Sequence, residues 1–336
     1  MSNENQDDLR ERLAEEIAQD LAKRFSLSVL EALPIDKGFL NVKWKLETNR
    51  GPLFLKFYHP NRYSLQFHPD RRAGIDRTLK FQQGLHEAGV PCSAIYTSQG
   101  QHLLSTAKGS YYTLQNWIDG YTVKAGCMNE EQMYSLGKAT GRMHQWLETA
   151  APLEEQAWKP DPDAYFDEWR TNKEKAQEAS DETVLEWLQR SEKIVNSLDF
   201  RQFDSSPVGW LHWDLWVDNL VLQTRGVAGI VDFDRMAVAY PEIDLARCVL
   251  SGALKNGQLQ LANVHSFMAG YGEHRFISPD ILARAFRLIY LIESIWWLRT
   301  EVREQSELRE SLARFVEEMH WIEDQWESLP ELFQLK

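Results

Sequence analysis

Leu211-His212-Trp213-Asp214-Leu215-Trp216-Val217-Asp218-Asn219-Leu220-Val221-Leu222, continued after Thr224-Arg225-Gly226 by Gly229-Ile230-Val231-Asp232-Phe233-Asp234, is the stretch that decides how this chain folds. Two short apolar runs around a tight turn predict a β-hairpin, which returns the chain to its starting edge and brings Asn219 and Asp232 to one end. An amide carbonyl and a carboxylate are hard oxygen ligands suited to Mg²⁺, whose remaining positions go to water and phosphate. Asp214, on the loop before Asn219, is placed to accept a proton from an attacking hydroxyl. This division of labour is that of phosphoryl transfer. A His-x-Asp-x-x-x-x-Asn string arises from composition alone on the order of once in a hundred chains of this length. His212 reads as a brace for the loop, because Asp214 already supplies the proton acceptor. Asp218 reads as a solvated turn residue, and Asp234 as either a second metal contact or a loop cap.

Working outward, Phe39, Val42, Trp44 and Leu46 alternate into the turn Thr48-Asn49-Arg50-Gly51 and out along Leu53-Phe54-Leu55-Lys56-Phe57-Tyr58, a second hairpin. A helix is expected from about Arg71 to Ala88, stopped by Gly89, and short strands lead to Tyr111-Tyr112-Thr113-Leu114. Ahead of these, Leu9, Leu13, Ile17 and Leu21 form one apolar helical stripe. Beyond Asp119-Gly120 the pattern turns helical: Asn129 and Gln132 can form a capping box, and helices are expected over Pro162 to Lys175, Thr183 to Ser197 and most of the chain after Ser278. The fold class is therefore α+β in two lobes. Residues 1–117 make an N-terminal lobe with a small antiparallel sheet and one lobe helix, and residues 118–336 make a larger helical lobe with the catalytic and metal loops.

The 336 residues, 43% hydrophobic and 26% charged, belong to the globular class. A net charge of −13 provides no basic field for a phosphate backbone, so nucleic acid is disfavoured as a partner. Acidity suits a cationic substrate and equally serves solubility. Cys92, Cys127 and Cys248 are too few and too scattered for a disulfide framework or a paired-cysteine zinc site, which fits a reducing cytoplasm. The acidic amphipathic start is unlike a signal peptide, and no apolar run reaches membrane-spanning length, so export and membrane insertion are disfavoured.

His212-Trp213-Asp214 with Asn219, Val231-Asp232, and Pro241-Glu242-Ile243-Asp244-Leu245-Ala246 resemble, almost end to end, the aminoglycoside phosphotransferase and choline kinase family, whose fold is similar to that of protein kinases. The resemblance implies ATP and Mg²⁺ as cofactors. It makes Asp214 the catalytic base, Asn219 and Asp232 the metal ligands, and Asp244 a buried acceptor steadying the loop with His212. Lys56 matches the family's phosphate-gripping lysine, Gly38 its phosphate-covering loop, and the backbone of Asn116 and Ile118 the adenine-binding segment between the lobes. Gly137 and Gly141 match its first large-lobe helix, where they serve close packing. Two features depart from the family: Trp213 replaces the usual Gly and either narrows the acceptor pocket or offers a face to a cation, and Thr78 stands where a glutamate partner for Lys56 is expected, with Asp76 the nearest acid. The implied activity is transfer of the γ-phosphate to a hydroxyl of a small, amine-bearing molecule of the aminoglycoside, choline or homoserine kind. Two alternatives stay open: a Ser/Thr protein kinase of the bacterial stress-kinase type, which would lack an Ala-Pro-Glu ending, and a non-catalytic nucleotide-binding scaffold like the spore-coat relatives.

Overall fold

The computed structural model describes residues 6–35 and 42–333. Gly38 and Phe39 lie outside them, as does the side chain of Leu9. The chain forms two compact units, Met1–Asp119 with Ala228–Asp234, and Gly120–Val227 with Arg235–Lys336. The sequence places the first lobe's end after residue 117 and everything later in the second lobe, whereas the segment ending in Asp232 and Asp234 clusters with the first unit. It is anchored there by the Ile230 amide, which donates to the Pro91 carbonyl at 2.8 Å.

The first unit opens with α1 (Gln6–Phe25), then β1 (Val29–Ile35), β2 (Val42–Thr48), β3 (Gly51–Phe57), the single turn α2 (Pro60–Tyr63), α3 (Pro69–Glu87), β4 (Leu104–Ser105) and β5 (Tyr111–Asn116). The five strands form one antiparallel sheet in the order β1-β2-β3-β5-β4. Because strand side chains alternate, Trp44, Leu46, Leu53, Leu55, Phe57 and Leu114 share one face, and that face buries Leu13, Ile17 and Leu21 of α1. The β2–β3 turn pairs Thr48 with Gly51, which fixes Lys43 opposite Lys56 on the other face. Gly51, at φ +97°, supplies the left-handed turn residue that this register needs.

The second unit contains α4 (Glu130–Ala150), α5 (Pro162–Glu178), α6 (Glu182–Ser197), β6 (Gly209–Leu211), β7 (Leu220–Gln223), the start of β8 (Gly226–Ile230), β9 (Ala237–Ala239), α7 (Glu242–Ala253), the two-residue strands β10 (Leu254–Lys255) and β11 (Gln258–Leu259), α8 (Leu261–Gly272), α9 (Ile281–Trp297), α10 (Thr300–Arg303), α11 (Arg309–Gln325) and α12 (Leu329–Leu332). The expected capping box starts α4: the Asn129 carbonyl oxygen accepts the Gln132 amide at 2.8 Å, and Gln132 accepts the Asn129 amide at 3.0 Å. All twelve residues of α7 are buried, so this helix is the axis of the unit. A Cβ at Gly137 would collide with the Phe267 carbonyl, and one at Gly270 with the Tyr134 carbonyl, so glycine is what lets α4 and α8 touch backbone to backbone. No described helix is long and apolar enough to cross a membrane.

Charges are buried with the apolar core. Arg247 on α7 pairs with Glu293 on α9, and Arg314 on α11 donates to Glu318 at 2.9 Å, while the Arg247 guanidinium lies 4.0 Å from Glu318. Burial pushes the Glu318 carboxyl up to about 7, against the pull of Arg314 and Arg247.

Two outcomes test this packing. Gly137→Ala should lower the unfolding free energy by about 3 kcal/mol in urea titrations, because main chain cannot yield as a side chain does. Glu318 stays neutral in the fold up to about pH 7 but ionises in the unfolded chain above about 4.5. Its contribution is therefore complete below pH 4.5 and lost as pH rises to 7, at up to about 1.4 kcal/mol per pH unit. The Glu318→Gln variant should show a correspondingly shallower decline of stability across that window.

Candidate active site

In the first unit, β3 carries Lys56 on the face away from α1. The side chain is nearly sealed, and its ammonium lies 2.7 Å from Asp232 and 2.7 Å from Asp234. Burial alone would depress its pKa, but the Asp234 and Asp232 carboxylates outweigh it and hold the ammonium well above its ordinary value. The Tyr58 hydroxyl donates to Asp234 at 3.2 Å, and burial together with that carboxylate keeps the phenol well above its usual pKa. Asp232 stands at φ +65°, a left-handed conformation that aspartate tolerates better than most residues.

Asp76, the nearest acid to the place of the missing glutamate, is not the partner of Lys56. Its carboxylate accepts the amides of His102 and Leu103 at 2.8 and 2.9 Å. Thr78 is buried and bonds back to the Ile75 carbonyl at 3.0 Å. The acids that balance Lys56 come from 176 and 178 positions downstream, a pairing that helix counting cannot reveal.

Lys43 is a functional candidate the sequence analysis missed. It sits directly across from Lys56, 3.8 Å from the Asp232 carboxylate, and burial with the neighbouring Lys56 lowers its pKa against the pull of Asp232. The signal was available in the turn, since pairing Thr48 with Gly51 fixes Lys43 opposite Lys56.

Of the expected adenine-binding pair, Asn116 has both backbone groups engaged: its amide donates to the Ala94 carbonyl at 3.1 Å, and its carbonyl accepts the Ser93 hydroxyl at 2.9 Å. Ile118 packs where a Cβ on Gly229 would collide with it. Gly38 lies outside the described residues.

In the second unit the loop after β6 holds His212, Trp213 and Asp214. Asp244, in the first turn of α7 and fully buried, accepts the His212 amide at 2.7 Å and the Trp213 amide at 2.9 Å. The His144 ring on α4 lies 3.1 Å from the same carboxylate and 3.2 Å from the Tyr271 hydroxyl on α8. His144 closes the helix motif that contains Gly137 and Gly141, but nothing local to that motif shows that its ring meets Asp244. His212 is fully buried, Asp218 is exposed, and Asp214 is half-buried.

The Asn219 amide nitrogen donates to the Asp214 backbone carbonyl at 2.8 Å and to its carboxylate at 3.1 Å. That leaves the Asn219 carbonyl oxygen as the atom able to face a cation, as a metal ligand requires. Arg235 approaches the Asp214 carboxylate to 3.9 Å. The candidate ligands Asn219 and Asp232 belong to different units. Among the described residues no group of three or more His, Cys, Asp or Glu side chains is placed to hold a metal ion.

Comparison with known proteins places the chain in a family. A homoserine kinase of Sinorhizobium fredii (strain NBRC 101917 / NGR234) is 23% identical over 285 residues, covering 79% of each chain. The crystal structure of spectinomycin phosphotransferase APH(9)-Ia in complex with ADP and spectinomycin aligns over 93% of this chain and 98% of its own, with a TM-score of 0.61 at 16% identity. A microcompartment-associated aminopropanol kinase aligns over 95% and 99%, with a TM-score of 0.61 at 15% identity. These structural likenesses show the fold. The model of the phosphotransferase enzyme family, APH, matches residues 31–280, and the chain belongs to that family.

Proposed function

We propose that this small-molecule phosphotransferase uses ATP and Mg²⁺ to phosphorylate the hydroxyl of a compact amino alcohol. The observation that carries the reading is the buried Lys56 ammonium, balanced by two carboxylates at 2.7 Å. Such a cluster suits an exchange of partners: Lys56 would turn from the carboxylates to nucleotide phosphates, and Asp232, released from Lys56, would hold Mg²⁺, which would neutralise charge on those phosphates. Asn219 supplies a second hard oxygen through its carbonyl. Asp214 accepts the hydroxyl proton as the acceptor oxygen bonds to the γ-phosphorus and the bond from that phosphorus to the β-phosphate oxygen breaks, releasing ADP. The homoserine kinase relative and the aminopropanol and spectinomycin kinases of like fold support a hydroxyl acceptor that also bears nitrogen. The acidic surface charge and reducing-type cysteine usage accord with a cytoplasmic enzyme.

Asp214→Asn keeps the side chain's size but removes the base, so kcat should fall by about a thousand-fold while calorimetric ATP binding persists. Loss of ATP binding along with activity would refute the assignment. In thermal unfolding, ATP with Mg²⁺ at a hundred times its dissociation constant should stabilise the parent by about 2.7 kcal/mol. Asp232→Ala should abolish the Mg²⁺-dependent part of that shift. No shift in the parent at millimolar nucleotide would bring the scaffold reading forward.

A further inference from the structure

Trp213 adopts φ +72°, a left-handed conformation that a bulky aromatic residue seldom takes and that glycine takes freely. The Asp244 clamp does not require an indole here, because it holds the residue only through the backbone amide, which any residue except proline supplies. The residue is half-buried, so it is not sealed in the core. A bulky side chain at a backbone conformation that favours glycine points to a use for that side chain.

Its surroundings indicate the use. The indole meets the Trp158 ring edge to face, with centroids 6.5 Å apart, and Trp158 meets the Tyr240 ring in the same manner at 6.1 Å. Trp158 belongs to the irregular segment joining α4 to α5. That segment is strapped to the β6–β9 pair at two points: the Trp210 indole donates to the Pro152 carbonyl at 2.8 Å, and the Ala157 amide donates to the Val238 carbonyl at 2.8 Å. The loop and the strap together build a braced aromatic wall one residue from Asp214.

We infer that Trp213, backed by Trp158, is a specificity-determining residue that limits the acceptor to compact molecules and offers its ring to their ammonium group. This rests on the phosphotransfer reading above for its kinetic readout, but its binding readout is independent of it. Flat, rigid indole next to the proton acceptor removes room for ring-sized acceptors, and its face attracts a cation.

The test compares the full-length parent with Trp213→Gly and Trp213→Phe. For Trp213→Gly, kcat/KM for spectinomycin relative to 1-amino-2-propanol should rise by about ten-fold or more, with Trp213→Phe intermediate. The thermal midpoint should hold or rise, because glycine relieves the strained φ. Calorimetric affinity for tetramethylammonium, a minimal cationic probe, should fall by about five-fold in Trp213→Gly. Unchanged selectivity with a lowered midpoint would make the indole a packing residue and overturn the inference. So would tetramethylammonium binding that is undetectable in the parent or equal in parent and variant. Absence of turnover in every form, with tetramethylammonium binding still weakened by the substitution, would refute the phosphotransfer reading and leave the aromatic wall standing.

Discussion

The second unit is organised around one buried carboxylate. Asp244 has no access to water, so its charge is stable only if the protein supplies donors, and it takes them from three places: two consecutive amides of the 212–213 loop and the His144 ring. The loop must present both amides to one carboxylate, and that demand holds Trp213 in its left-handed conformation. It also sets where Asp214 begins. Through His144 and Tyr271 the same carboxylate ties α7 to α4 and α8, the helices that glycines bring into backbone contact. Placing Asp244 in the first turn of α7 further sets its charge against the positive end of the helix dipole.

The first unit solves the complementary problem with a buried cation. Lys56 needs anions, and it finds them on the segment that follows β8, which the Ile230 amide pins to the Pro91 carbonyl. The two centres differ in how readily they can change. Asp244 is satisfied by backbone amides, which have nowhere else to go, so it works as fixed structure. Lys56 is satisfied by carboxylates that are also hard oxygen ligands, and the proposed chemistry would exchange that pairing for phosphates and a divalent cation. A fixed clamp beside the proton acceptor and an exchangeable cluster at the lysine are what the proposed chemistry calls for.

Much of the architecture was legible in the sequence where the governing rule is local. Period-two alternation and a four-residue turn predicted the β2–β3 hairpin, helical spacing predicted the α1 stripe, and Asn129 with Gln132 predicted the capping box. The close packing that the family resemblance implies for Gly137 is present, since a Cβ there would collide with the Phe267 carbonyl. Lys43 follows from the same register that positions Lys56, although a lysine on a strand ordinarily signals solvent.

By itself, the sequence determined the two-lobed α+β class, through periodicity and turn chemistry, and it offered Lys56, Asp214, Asn219, Asp232 and Asp244 as candidates through motif spacing and resemblance to a family. Only the tertiary structure decided that Asp76 caps the 102–103 amides, that Asp232 and Asp234 balance Lys56, and that Trp158 backs Trp213. The physical reason is range. Backbone preferences act between neighbours in the chain and can be read there, whereas buried charges and ring edges find partners by desolvation and packing among groups far apart in sequence.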